Sequence, residues 1–116
     1  MSYKTDRVAG EIIREVSGII RDKVHNPKIP FMTTVTAAEV SKDLKYARIY
    51  VSVIGDEAGA IEALNSSAGF IRHELAARLR NMRTIPALTF RIDSSGEYGR
   101  KIDSILKEIS ENEHHS

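Results

Sequence analysis

The stretch that decides the fold is AGAIEALNSSAGFIRHELAARLRNMRTIPALTFRI, which covers residues 58–92. Its apolar residues recur at spacings of three and four, which is the period of one face of a helix. Asn65 and the serines ahead of Gly69 interrupt this path, because their side chains compete for backbone hydrogen bonds and glycine weakens a helix. We therefore predict two helices with a break at 65–69, the second capped by Ser66 or Ser67. The predicted core stripe is Ile61, Leu64, Ala68, Ile71, Leu75, Leu79 and Met82.

The same stretch is rich in arginine. At about 100° per residue, Arg72, Arg80 and Arg83 lie along one flank of the second helix, which residues 84–86 are predicted to end. Arg78 lies on the other flank, four residues after Glu74, in the favourable order for an ion pair. The charge pattern by itself fits a solvated helix face as well as it fits an anion-binding edge.

Composition narrows the class of protein. The 116 residues suffice for one domain with its own core, and the absence of cysteine excludes disulfides, zinc-thiolate sites and thiol catalysis. The net charge of +1 hides a basic middle, because residues 67–92 hold five arginines against one acid and residues 93–116 hold six acids against three bases. No apolar run approaches the roughly 20 residues of a membrane span, and the N-terminus lacks a signal-peptide core. We expect a cytoplasmic protein without membrane association.

The remaining elements follow from periodicity. A helix is predicted over 5–24, capped by Thr5 or Asp6 and weakened at Gly18 unless something packs closely there. Two prolines in 25–30 enforce a loop, and a strand follows over 32–40 with a bulge or a shorter length, because Val35 and Val40 have opposite parity. Alternation predicts further strands over 46–53 and 87–92. A turn at 94–96 is predicted to lead into a last helix, which completes a domain over 1–110 and is followed by a polar, disordered tail over 111–116. This helix carries Tyr98, Ile102, Ile105, Leu106 and Ile109. The order is αββααβ plus a terminal helix.

Several separate motifs then become recognisable: NPK at 26–28, MTTVTAAEVSKDLKYARIYVSV at 32–53, SAGFIRHEL at 67–75, RTIPALTFRIDSS at 83–95 and EYGRKID at 97–103. The order matches the type II KH arrangement, and the motifs closely resemble the bacterial ribosome-binding factor A family from about residue 5 to residue 109. The resemblance implies an α+β, KH-like fold and a non-enzymatic factor that binds the free small (30S) ribosomal subunit and aids late maturation of its 16S ribosomal RNA, often in cold growth. It further implies release by a ribosome-associated GTPase, and we expect a monomer without cofactors.

The family has an Ala-x-Gly kink where ordinary KH domains have a GxxG clamp for the nucleic-acid backbone. Ser67, Ala68 and Gly69 occupy that position here, with serine in place of the first alanine. We predict a tight kink at Gly69 that leaves no room for a side chain. The literal GxxG at 96–99 follows the third strand and contains an acid, so we interpret it as a turn and helix start.

Such a domain is expected to hold RNA mainly through lysine and arginine at phosphates. For Tyr46 and Tyr50, which share the outer face of the second strand, we favour strand packing over stacking on bases. The predicted RNA-binding residues are Arg72, Arg80 and Arg83, followed by Lys42, Lys45 and Arg48 of the hairpin, Lys28, and Arg91.

An enzyme is not supported by any motif. His73-Glu74 begins like the metalloprotease HExxH, but Ala77 replaces the second histidine, so no metal site is predicted. No phosphate loop, nucleophile elbow or histidine with an acid-base partner is present, and no catalytic residue is assigned. Two alternatives to the ribosomal function stay open: a general single-stranded RNA-binding KH domain, and a small protein interaction module. RNA binding that weakens steeply with salt would distinguish the two RNA-binding functions from a protein interaction module.

Overall fold

The computed structural model describes residues 3–94. The elements follow the predicted order, and their bounds are α1 (Tyr3–Lys23), β1 (Thr34–Val40), β2 (Tyr46–Ser52), α2 (Glu57–Ser66), α3 (Ala68–Arg78) and β3 (Ala87–Ile92). Because α1 begins before Thr5, both residues proposed as its cap lie inside the helix, and that prediction is wrong. Asp6 instead lies in the first turn, where its charge complements the helix dipole.

The three strands form one mixed sheet in the order β1-β2-β3. β1 and β2 are antiparallel, whereas β2 and β3 are parallel, since α2 and α3 carry the chain back across the sheet. The register of β1 shifts between Val35 and Ala37, which is the bulge that the opposite parity of Val35 and Val40 predicted. After the bulge, Glu39 stands opposite Arg48. β1 is also shorter than predicted, since it begins at Thr34.

All three helices pack on one face of the sheet and its edges. α1 packs against β1 and α3, while α2 and α3 pack against β3. The predicted stripe is confirmed: Leu64, Ile71, Leu75 and Leu79 are buried, and its other members are partly buried against the same core. The opposite face of the sheet exposes polar and charged residues.

Asn65 ties the helix pair to the exposed edge of β3. Its Nδ2 donates to the carbonyl of Phe90 at 3.1 Å, and the backbone N–H of Phe90 donates to its Oδ1 at 2.8 Å. The side-chain amide thus occupies the position of a neighbouring strand, which satisfies groups that an edge strand leaves open.

Several predictions fall beyond the described residues. The terminal helix that carries Tyr98 and Ile109, the GxxG at 96–99, the tail over 111–116 and the domain limit at residue 110 all lie outside residues 3–94.

Candidate nucleic-acid interface

Arg72 is anchored to the backbone. Its Nε donates to the carbonyls of Ile85 and Pro86, both at 3.1 Å, and its Nη2 donates to Ile85 at 2.7 Å. The guanidinium therefore holds the loop that leads into β3 against α3. Among residues 3–94 its Nη1 makes no hydrogen bond, so Arg72 combines a structural role with an anchored positive charge.

The predicted helical flank of Arg72, Arg80 and Arg83 is wrong, because α3 ends at Arg78. The anchoring of Arg72 gives the physical reason. A helix that continued would place residue 85 about 20 Å beyond residue 72, whereas Arg72 bonds directly to the carbonyl of Ile85, 13 positions later. The chain must turn back after Leu79. Residues 79–86 form this returning loop, and Arg80 and Arg83 are both exposed in it.

The returning loop and α3 enclose a basic cleft of about 500 Å³. Among residues 3–94 no acid lines the cleft, so a negatively charged ligand would meet polar, apolar and basic groups of this part of the chain. Arg80 does not line the cleft. His73 and Thr84 do line it, although the sequence did not indicate them as site residues. The lining consists of Gly69, Arg72, His73, Ala76, Arg83, Thr84 and Ile85.

Arg78 pairs with α1 and not with Glu74. Its Nη1 lies 3.4 Å from Oε1 of Glu15, and the side chains are only 31% and 23% exposed. Gly18 leaves room for this contact, because a Cβ there would lie 3.2 Å from the same Nη1. The prediction of an i,i+4 pair is wrong, since the packing of α3 on α1 offered a closer partner. The close packing that would explain Gly18 is confirmed.

The helix break lies where it was predicted. α2 ends at Ser66 and α3 begins at Ala68, so Ser67, with φ −97° and ψ 3°, is the junction. Ser67 makes no side-chain capping hydrogen bond, and the hydroxyl of Ser66 donates back to the carbonyl of Ala63, so the capping prediction is wrong. A Cβ at Gly69 would meet nothing within 4 Å. The predicted tight site at Gly69 is therefore also wrong, because the helices separate at Ser67 and Gly69 faces open space.

The outer face of the sheet carries a charged network. Nη1 of Arg48 donates to Glu39 Oε1 at 3.2 Å and to the hydroxyl of Tyr50 at 3.3 Å, and that hydroxyl donates to Glu39 at 3.2 Å. The hydrogen bond with Tyr50, helped by the nearby charge of Glu39, holds the pKa of Arg48 above its usual value. Arg48 is thus partly neutralised and fixed in place.

The other predicted basic residues are exposed at the hairpin, at the loop after α1 and on β3. Within residues 3–94, the side chains of Lys28, Lys42, Lys45 and Arg91 make no hydrogen bond or ion pair, so their charges are available to a ligand. Asp43 shapes the hairpin turn by accepting from the Ser41 hydroxyl and the Lys45 backbone, and these bonds hold its pKa below the usual value.

Within the described part of the chain, no three histidine, cysteine or carboxylate side chains gather where they could hold a metal ion. In that part, too, none of the helices has the length and apolar character that crossing a bilayer requires. The basic cleft beside α3 and the outer face of the sheet both carry hydrogen-bond donors suited to phosphate oxygens.

The fold and these surfaces define a small KH-like α+β domain with basic faces. The family model for ribosome-binding factor A matches residues 4–106. The chain belongs to the ribosome-binding factor A family, whose members are non-enzymatic ribosome assembly factors.

Individual relatives agree over nearly the whole chain. The chain is 42% identical to ribosome-binding factor A of Caldanaerobacter subterraneus subsp. tengcongensis, covering 97% of this chain and 94% of that protein. It is 44% identical to the protein of Clostridium tetani, covering 97% and 95%. The crystal structure of ribosome-binding factor A from Thermus thermophilus superposes with a TM-score of 0.70 at 30% identity, covering 78% of this chain and 97% of that one.

A second structural match bears on the partner. A homology model of the Thermus thermophilus factor, fitted into a cryo-EM map of a 30S–RbfA complex, superposes with a TM-score of 0.65 at 28% identity. It covers 76% of this chain and 93% of that one.

Proposed function

We propose that this chain binds the free small ribosomal subunit and aids late maturation of its 16S ribosomal RNA. The observation that carries the proposal is the family match over residues 4–106, together with the similarity to a relative that was fitted into a 30S complex. The protein works in the cytoplasm as a monomer, supports growth in the cold, and is released by a ribosome-associated GTPase.

Attachment occurs through cations at RNA phosphates. Arg83 and Lys28 are exposed and lack partners among residues 3–94, as do Arg80, Arg91 and the hairpin lysines. Each is therefore able to replace a counterion at a phosphate without first breaking a contact of its own. Arg72 and Arg48 contribute charge from fixed positions, because both are already engaged with the protein.

Sedimentation of cell extract tests the proposal. The protein should travel with free small subunits and be absent from whole ribosomes. With purified immature subunits, log K should fall linearly with log salt, by about 0.7 to 0.9 for each phosphate contact. A protein that stays at the top of the gradient under low salt would refute the ribosomal function.

One observation favours the alternative function, a small protein interaction module. Phe31 is 94% exposed and Met32 is 58% exposed, in the loop that joins α1 to β1. Large apolar side chains at such exposure suit a protein contact. A weak salt response, combined with loss of subunit binding in Phe31→Ser, would place the main interface at this loop.

A further inference from the structure

Tyr46 presents an exposed aromatic ring at one end of the outer face of the sheet. Tyr46 is 64% exposed at the start of β2. Its neighbours on both sides are small: Ala87 is its partner on β3, and Ser41, which follows β1 in the hairpin, exchanges backbone and side-chain hydrogen bonds with it. An aromatic side chain in a strand is stabilised by packing on an aromatic or β-branched cross-strand neighbour. Here neither neighbour is large enough to cover the ring.

Tyr50, two pairs further along the same face, is different. It is half-buried, and its hydroxyl is bonded to Glu39 and Arg48. Its environment accounts for it as a structural residue. For Tyr46, by contrast, only its backbone makes hydrogen bonds within the described part of the chain. The structure thus separates two tyrosines that the sequence pattern treats alike.

Positive charge follows the ring along the sheet. Tyr46, Arg48 and Arg91 line one shallow groove of about 390 Å³. In the parallel register Arg91 lies four residues beyond the partner of Tyr46, which is about 13 Å along the strand. Among the described residues that line the groove, Glu39 is the one acid, and Arg48 neutralises it at 3.2 Å. The unpaired charge of Arg91 therefore sets the sign of the surface.

We propose that this groove binds single-stranded RNA, with one unpaired base stacked on the ring of Tyr46 and a neighbouring phosphate held by Arg91. The proposal rests on the proposed function, which supplies an RNA partner. An exposed aromatic ring on a sheet followed by basic residues is the combination with which other sheet surfaces hold single strands. Lys42 and Lys45 of the adjoining hairpin extend the positive surface at the ring's end of the groove.

The geometry selects unpaired RNA over a duplex. In a double helix both faces of each base are covered by the bases above and below, so no face is free to lie on a protein ring. A base in a single-stranded end or loop has such a face. Stacking is available to every base, so the groove is expected to discriminate strandedness more than sequence.

The test uses the full chain and a single-stranded RNA of about eight nucleotides that carries one 2-aminopurine, whose fluorescence is quenched on stacking. Tyr46→Ala should bind about 5-fold to 150-fold more weakly than the parent and lose the quenching. Tyr46→Phe keeps the ring and should retain both. Tyr46→Leu is the matched control for apolar bulk and should behave like Tyr46→Ala. Thermal melting of each variant confirms that it is folded.

The outcomes separate this inference from the proposed function. Equal affinity and quenching for Tyr46→Ala and the parent would overturn the inference, and so would equal binding of the matching duplex. If neither the parent nor any variant binds the single strand, while the parent still sediments with small subunits, the inference fails and the proposed function stands. If the single strand binds in a Tyr46-dependent way but the parent does not associate with subunits, the inference stands and the ribosomal function fails.

Discussion

Replacing Arg72 by alanine should destabilise the fold, although the sequence places this residue first among the RNA contacts. The change removes three hydrogen bonds to the carbonyls of Ile85 and Pro86, at 2.7, 3.1 and 3.1 Å. Bonds to a charged donor contribute about 1.5 to 3 kcal/mol each when shielded from water. Two of these three are exposed, and water replaces much of their contribution. We therefore expect Arg72→Ala to lower the free energy of unfolding by about 2 kcal/mol.

Urea denaturation followed by far-UV circular dichroism measures this effect. A loss of about 2 kcal/mol corresponds to a drop of about 8 °C in Tm for a domain of this size. Arg83→Ala is the matched control: it removes the same side chain from the same cleft, yet breaks no hydrogen bond among residues 3–94, so its stability should stay within about 0.5 kcal/mol of the parent. An unchanged urea midpoint for Arg72→Ala would refute the anchoring role. A loss of subunit binding in this variant would then report RNA contact directly.

Three further changes test other parts of the structure. Gly69→Ala should stabilise the protein by about 0.5 kcal/mol in urea denaturation, because Gly69 lies inside α3 and a Cβ there meets nothing within 4 Å; destabilisation would restore the tight kink. Asn65→Ala should cost about 2 kcal/mol by the same measurement, since it leaves both backbone groups of Phe90 without their partner, whereas Asn81→Ala in the exposed loop should cost little. Arg83→Glu should reduce the slope of log K against log salt for subunit binding by about 0.7 to 0.9, with the fold intact. An unchanged slope would move the phosphate contact away from the cleft.

Much of the fold could be predicted because local patterns decide it. The break near Ser67 follows from residues that disfavour helix. The buried faces of α2, α3 and β2 follow from the spacing of apolar residues, because each spacing places those residues on one side of a helix or of a strand, but not of both. The bulge in β1 was visible as a change of parity, since a strand buries alternate residues and an extra residue reverses the alternation.

The candidate site was less predictable, because its geometry depends on residues far apart in the chain. Helical spacing placed Arg80 and Arg83 beside Arg72, but α3 ends at Arg78, and only Arg83 returns to the cleft. His73 and Thr84 carry no local signal that would select them. Glu39 could be assigned to Arg48 only once the bulge had fixed the register between β1 and β2.

The amino-acid sequence by itself determined the order of the elements, the helix break, the family and the basic character of the middle of the chain. These depend on residue type and on spacings of a few positions. The tertiary structure alone decided that Arg78 pairs with Glu15, that Arg72 anchors the loop before β3, and that Tyr46 is uncovered while Tyr50 is not. Each of these follows from which neighbour the packing brings within a few ångströms. Such neighbours lie on other elements, so spacing along the chain cannot identify them.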